Sequence, residues 1–201
     1  MTQSIWLFGY GSILWRPDMP YTAAKIARLS GFQRRFWQAS TDHRGTLERP
    51  GAVATLRQVA GAETLGIAYC IERAQLVQTM TQLDQREQNG YGQQSISLTL
   101  DTGQVIQAMT YIAQPGNPWD LGSPSETLLA AQIQAACGPS GTNLAYFQHL
   151  HWASQCLNEA DDHLEGIALA LERLGSPEPP RRALIRLQIE KALVPWHPLM
   201  R

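Results

Sequence analysis

The order of strand and helix patterns constrains the fold of this chain more than any other feature. Hydrophobic and aromatic runs predict four strands in the first half, at residues 5–8, 31–40, 52–56 and 65–71. Turn residues separate them, notably Arg49-Pro50-Gly51 and Ala60-Gly61. Residues 72–87 then change to helical spacing, which predicts an amphipathic helix.

The second half predicts one hairpin followed by helices. Strands at residues 95–100 and 104–113 flank the short polar connection Asp101-Thr102-Gly103. Helices are predicted over residues 126–137, over residues 143–157 with Asn143 as the cap, and over residues 160–175, closed by Gly175. Strands first and helices later favour an α+β fold over alternating βαβ units.

Length and composition predict one soluble domain spanning residues 1–201, with residues 176–201 as a C-terminal extension of uncertain structure. Within that extension, residues 183–193 fit a strand and a helix equally well. The formal net charge is -1, from 16 basic and 17 acidic residues, so nothing indicates a nucleic-acid or membrane partner. We expect neither a secretion leader nor a membrane span.

Three widely separated cysteines, Cys70, Cys137 and Cys156, form no CxxC pair and no zinc-like spacing with histidine. Free thiols in a reducing compartment are the simplest interpretation, so we predict a cytoplasmic protein without a bound metal.

The residues Gly9-Tyr10-Gly11-Ser12 follow the first strand and are the first candidate for a site. Glycine lets a ligand approach backbone N–H groups closely, and consecutive N–H groups can bind a carboxylate. The pattern is neither a P-loop nor a dinucleotide fingerprint. On spacing alone a structural turn is favoured over a binding loop.

Two further polar groups of residues are candidates. Asp84, Arg86 and Glu87 close the predicted helix, where the helix dipole disfavours carboxylates, so either a special role or a solvated face is open. The run Ser40-Thr41-Asp42-His43-Arg44 follows an aromatic strand, and a capped turn explains it better than a catalytic triad or a metal site.

Several motifs together resemble the ChaC-type γ-glutamylcyclotransferases, over residues 5–174. They occur in the family's order: WLFGYGSILWRPDMPY, RRFWQASTDHRG, RPGAVATL, LDQREQNGY, DLGSP and GPSGTNLAYF. The remaining C-terminal segment has no counterpart in this resemblance.

The resemblance implies a small mixed β-barrel surrounded by helices. It also implies a lyase that cleaves glutathione to 5-oxoproline and cysteinylglycine without a cofactor or an obligatory protein partner. Glu87 would be the catalytic carboxylate. The implied substrate-binding residues are Leu7, Phe8, Gly9, Tyr10, Gly11, Ser12, Ile13, Tyr91 and Tyr146.

At two positions the chain departs from the family pattern. Gln88 stands where the family usually has lysine, and Thr142 stands where it has arginine. Gln88 removes a positive charge that would tune Glu87. Thr142 would change the substrate preference if the family's arginine holds the glycyl carboxylate. The alternatives are a cyclotransferase for other γ-glutamyl amino acids or amines, and a non-catalytic regulatory protein of the same fold.

Overall fold

Five strands form a closed barrel in the order β1-β3-β2-β4-β5. The computed structural model describes residues 4–177 and residue 189. The barrel strands are β1 (Ile5–Gly9), β2 (Ala23–Ser40), β3 (Gly51–Ile71), β4 (Tyr91–Leu100) and β5 (Val105–Ala113). Strand β1 runs parallel to β5, whereas the other neighbouring strands pair antiparallel. The predicted α+β class with a small mixed barrel is confirmed.

Two long strands replace the three shorter ones predicted over residues 31–71. Residues 31–40 are the second half of β2, and both later segments belong to β3. The predicted turn at Ala60-Gly61 is wrong, because the chain continues in the same strand through an irregularity. Ser30 pairs with Glu63 but Phe32 pairs with Gln58, so the register shifts there. Extra residues on one strand are accommodated as a bulge rather than as a reversal.

Within residues 4–177, four α-helices lie close to where the sequence predicts them. They are α1 (Arg73–Arg86), α2 (Glu126–Ala135), α3 (Asn143–Cys156) and α4 (Asp162–Arg173). Helix α2 ends two residues earlier than predicted, because Ala136 is already extended and β6 (Cys137–Gly138) pairs with β7 (Gly141–Thr142). The prediction for residues 183–193 lies outside the described residues apart from residue 189.

Thr142, and not Asn143, caps helix α3. The Thr142 hydroxyl accepts a hydrogen bond from the Ala145 N–H at 3.2 Å. Asn143 is the first helical residue and is fully buried. Its side chain accepts from the Ala52 N–H at 2.7 Å and donates to the Ala52 carbonyl at 2.8 Å. Asn143, which the sequence predicts as the cap, therefore links α3 to the start of β3 by hydrogen bonds.

The core fills the barrel and the space beneath the helices. Strand β4 shows the alternation that a half-buried strand requires, since Ile96, Leu98 and Leu100 are buried while their neighbours are more exposed. Helices α2, α3 and α4 pack on one another, and α2 and α3 also pack on β3. Within residues 4–177 no helix is both long and apolar enough to cross a membrane.

Candidate active site

A cavity of about 250 Å³ lies beside the end of β1. Its wall includes three segments: the end of β1 with the residues that follow it, the end of β2 with the residues that follow it, and the C-terminal end of α1. Tyr91, Tyr111 and Tyr146 also line it. Eight of the nine predicted substrate-binding residues line it, and the ninth, Leu7, lies in the core with 1% of its surface exposed. Glu87 lines the same cavity.

Gly9, the last residue of β1, is required for space. Neither Gly9 nor Gly11 has a positive φ. A Cβ at Gly9 would come within 2.8 Å of Ile13 Cγ2, so a side chain there would push against the next turn. Gly11 precedes a single 3₁₀ turn, Ser12–Leu14. The chain folds back there because the Gly11 carbonyl accepts a hydrogen bond from the Leu14 N–H at 2.9 Å. The chain therefore makes a compact loop with exposed amides.

Two of those amides are available to a ligand. Within residues 4–177, the N–H groups of Gly11 and Ser12 donate to no protein acceptor, although both residues line the cavity. The Tyr10 hydroxyl already has an acceptor, because it donates to the Tyr111 carbonyl at 2.7 Å. Adjacent free N–H groups form a concave donor site suited to a carboxylate.

Glu87 follows the last residue of α1 and faces the cavity. Its N–H closes the helix on the Leu83 carbonyl at 2.7 Å, and its side chain is 19% exposed. Burial raises the pKa of the Glu87 carboxyl, whereas the neighbouring Arg86 and His43 offset part of that rise and Asp42 adds to it. A carboxylate with a raised pKa in a cavity is suited to accept and return a proton.

Arg86 connects the glycine loop to the end of α1. Its Nη2 donates to Ser12 Oγ at 2.5 Å, and its Nε lies 3.6 Å from Glu87 Oε1. It also approaches Asp18, with 3.9 Å between Nη1 and Oδ2. One side chain thus brings Glu87 next to the loop, although the two are 75 or more residues apart in the chain.

Tyr91 and Tyr146 are held by the backbone of one residue. The Tyr91 hydroxyl donates to the Ala54 carbonyl at 2.6 Å, and the Tyr146 hydroxyl accepts from the Ala54 N–H at 3.3 Å. Burial raises the pKa of Tyr146 to about 12, so it stays protonated near neutral pH. Its hydroxyl proton is consequently available to an acceptor in the cavity.

The polar run after β2 is part of the cavity wall, which sequence reasoning missed. Ser40 Oγ accepts from the Arg44 N–H at 3.0 Å and donates to Asp42 Oδ1 at 3.2 Å, so the predicted capped turn is present. His43 instead contacts Ser140 Oγ at 3.1 Å and the Arg86 carbonyl at 3.3 Å. The Arg44 guanidinium lies 5.4 Å from the centre of the Tyr146 ring.

The sequence feature that could have indicated this part of the cavity wall is the density of polar side chains directly after an aromatic strand. It could not indicate the direction in which the turn faces, because that depends on contacts with Ser140 and Arg86 far along the chain. Gln88 also lines the cavity, whereas Thr142 caps α3 and is not part of the lining. No cluster of three potential metal ligands occurs among the described residues.

Comparison with known proteins points to one family. The model of the family described as ChaC-like protein matches residues 5–174. A glutathione-specific γ-glutamylcyclotransferase 1 from Rattus norvegicus is 38% identical over 178 residues, covering 86% of this chain and 80% of the relative. The glutathione-specific γ-glutamylcyclotransferase of Escherichia coli is 33% identical over 172 residues, covering 85% and 74%.

A solved structure shows the same similarity. The crystal structure of a γ-glutamyl cyclotransferase specific to glutathione from yeast superimposes with a TM-score of 0.77 at 27% identity, covering 86% of this chain and 99% of that one.

Proposed function

The chain belongs to the ChaC-like protein family, and on that premise we propose that it is a lyase that cleaves glutathione to 5-oxoproline and cysteinylglycine. The observation that carries the proposal is the position of Glu87. It lies in one cavity with the two unbonded amides of the Gly11–Ser12 loop, and burial raises its pKa.

The reaction needs no external nucleophile. The α-amine of the γ-glutamyl group attacks its own side-chain carbonyl carbon, a five-membered lactam forms, and the bond to the cysteine nitrogen breaks. Attacker and target belong to one molecule, so the enzyme has to fold the substrate into a reactive conformation. The N–H groups of Gly11 and Ser12 bind the α-carboxylate in this account and fix one end of the chain.

Glu87 moves the proton. As a carboxylate it takes a proton from the substrate ammonium group, which frees the amine lone pair for attack. As a carboxylic acid it then returns that proton to the departing cysteine nitrogen. The attacking nitrogen loses a second proton as the lactam forms, and this proton passes to the same departing nitrogen, so cysteinylglycine leaves with an ammonium group and atoms and charge balance without water. The raised pKa of Glu87 brings its two protonation states closer in free energy near neutral pH, which suits a group that serves as base and then acid.

The test is direct incubation of the purified protein with glutathione, followed by assay of 5-oxoproline and cysteinylglycine. γ-Glutamyl-alanine and γ-glutamyl-lysine run as parallel substrates, because Gln88 lines the cavity where the family usually has lysine. We expect both products from glutathione. Product only from the other two compounds would identify a related cyclotransferase, and no product from any would favour a non-catalytic regulatory protein.

We also propose that the enzyme works in the cytoplasm. Cys70 and Cys137 are free thiols in the structure, and Cys137 is exposed. Exposed thiols persist in reducing compartments and are oxidised in secretory ones. Fractionation of cells that express the tagged chain would test this, with recovery in the soluble cytosolic fraction as the expected result.

A further inference from the structure

A buried arginine lies directly behind the glycine loop. Arg34 is on β2, is 0% exposed, and does not line the cavity. Its Nε donates to the Tyr10 carbonyl at 3.0 Å, and its Nη2 donates to the Leu65 carbonyl at 2.8 Å. The Tyr10 carbonyl belongs to the peptide that also contains the Gly11 N–H.

Two carboxylates fix the other side of the guanidinium. Arg34 Nη1 lies 2.6 Å from Glu159 Oε2 and 3.1 Å from Asp161 Oδ2. Each carboxylate is itself fixed by a backbone amide: Glu159 accepts from the Leu65 N–H at 2.7 Å, and Asp161 accepts from the Leu164 N–H at 3.1 Å. The arginine therefore has no freedom to leave the Tyr10 carbonyl.

The geometry of a trans peptide determines what this contact does. None of the described peptide bonds is cis, and in a trans peptide the carbonyl and the next N–H point in opposite directions. With the Tyr10 carbonyl held by Arg34, the Gly11 N–H is directed away from Arg34. Gly11 lines the cavity and Arg34 does not, so we infer that this N–H faces the cavity. A strong donor on a carbonyl also polarises the peptide and makes its N–H a better donor.

We propose that Arg34 is a positioning residue that orients and polarises the Tyr10–Gly11 peptide so that the Gly11 N–H binds the α-carboxylate of the γ-glutamyl substrate. This inference rests on the proposed function. Direct attraction between Arg34 and the substrate carboxylate is not the cause, because one positive charge stands beside two negative charges in this buried cluster. The effect passes through the peptide.

The test combines an enzyme variant with a substrate variant. Arg34→Lys keeps the charge but cannot reproduce the planar fork that reaches the Tyr10 and Leu65 carbonyls together. Turnover is measured with glutathione and with its analogue in which the α-carboxylate of the γ-glutamyl group is an amide. We expect kcat/KM for glutathione to fall about 10- to 100-fold, mostly through KM, which is the range of a charge-assisted hydrogen bond. The analogue should lose only a few-fold, about the loss expected of a neutral hydrogen bond.

Arg57→Lys is the matched control. Arg57 is also buried, with 8% of its surface exposed, and it likewise joins a backbone carbonyl, that of Ala113, to a carboxylate, that of Asp120. It does not touch the glycine loop. We expect Arg57→Lys to change kcat/KM by the same factor for both substrates, because any effect it has is structural.

The outcomes separate the inference from the proposed function. The role of Arg34 would be overturned if Arg34→Lys lowered kcat/KM equally with both substrates, or did not lower it with glutathione. In either case an active wild-type enzyme would still support the proposed function. An inactive wild type would overturn both.

A spectroscopic measurement covers the case in which Arg34→Lys does not fold. Glutathione is added to ¹⁵N-labelled protein carrying Glu87→Gln, and the Arg34 Nε–H and Gly11 N–H resonances are followed. Both should move downfield with glutathione and move less with the α-amide analogue, while Arg57 Nε–H stays in place. An unmoved Arg34 resonance in the bound protein would overturn the inference.

Discussion

At the scale of one residue, the chemistry of Glu87 depends on its burial, because the positive charge of Arg86 offsets only part of the rise in pKa that burial causes. Its nearest cation, Arg86, is shared with Ser12 and Asp18, and the separation from Glu87 Oε1 is 3.6 Å. The carboxylate also stands at the C-terminal end of α1, where the helix dipole disfavours negative charge.

Replacing Glu87 by glutamine should abolish most of the turnover without disturbing binding. Glutamine keeps the size of the side chain but cannot exchange the proton, so we expect kcat to fall by about 10²- to 10⁴-fold. KM should change little. Steady-state assay of 5-oxoproline checks this, with circular dichroism to show that the variant is folded.

Glu63→Gln is the matched carboxylate-to-amide control. Glu63 is half exposed and pairs with Arg28 away from the cavity, so this variant should keep wild-type turnover. Wild-type turnover in folded Glu87→Gln would contradict the catalytic assignment.

The pH profile should carry the signature of Glu87. Burial raises the pKa of its carboxyl, and the base must be ionised to accept the ammonium proton. Activity is therefore present above the raised pKa and is lost as the pH falls through it. We expect the acid limb of kcat/KM to bend above the usual carboxyl value of about 4.3. A limb at or below that value would argue against Glu87 as the group that titrates.

At the scale of elements, the start of α3 depends on two neighbouring side chains with different tasks. Thr142 caps the helix, while Asn143 bonds both backbone groups of Ala52 at the start of β3. The β3 segment that follows contains Ala54, whose backbone holds Tyr91 and Tyr146. The contact from helix to strand therefore supports the cavity wall.

Asn143→Ala should be the more damaging of two alanine substitutions at this junction. It leaves the Ala52 N–H and carbonyl without their partner, and each buried unsatisfied group costs about 1–3 kcal/mol. Thr142→Ala removes one exposed cap and should cost about 1 kcal/mol. Urea unfolding of both variants measures the difference. Equal losses would show that the Asn143 cross-link is not needed.

How much the sequence predicts depends on the range of the contacts involved. Helical spacing in α1 is local, so this helix is found where it is predicted. Alternation over residues 95–100 correctly predicts the second part of β4, although the strand begins four residues earlier, at Tyr91. The bulge near Ala60-Gly61 was predicted as a turn because local residue preference cannot reveal that the partner strand β2 also continues. Similarly, the turn at residues 40–44 was recognised, but its place in the cavity depends on Ser140 and Arg86.

At the scale of the whole molecule, the barrel fixes the glycine loop through the close approach of β1 and β3. Gly66 on β3 has no room for a side chain, since a Cβ would come within 2.4 Å of the Gly9 carbonyl oxygen and 2.5 Å of the Phe8 ring. These atoms lie at the end of β1, directly before the loop. A change in β3 is thereby transmitted to the active-site backbone.

Gly66→Ala should lower both stability and activity. Overpacking of a filled core costs about 1–3 kcal/mol, and displacement of Gly9 would move the following amides. Gly92→Ala in β4 is the control, because a Cβ there meets nothing within 4 Å and its φ is not positive. Thermal melts and turnover of the two variants test the claim, and a fully stable Gly66→Ala protein would contradict it.

In the proposed reaction the substrate amine, and not water, displaces cysteinylglycine. The most direct measurement is turnover of glutathione in H₂¹⁸O, with mass spectrometry of all products. Intramolecular attack predicts equal amounts of 5-oxoproline and cysteinylglycine, and 5-oxoproline without ¹⁸O. Release of glutamate that carries ¹⁸O would contradict the account, because it would show that water attacks the γ-carbonyl.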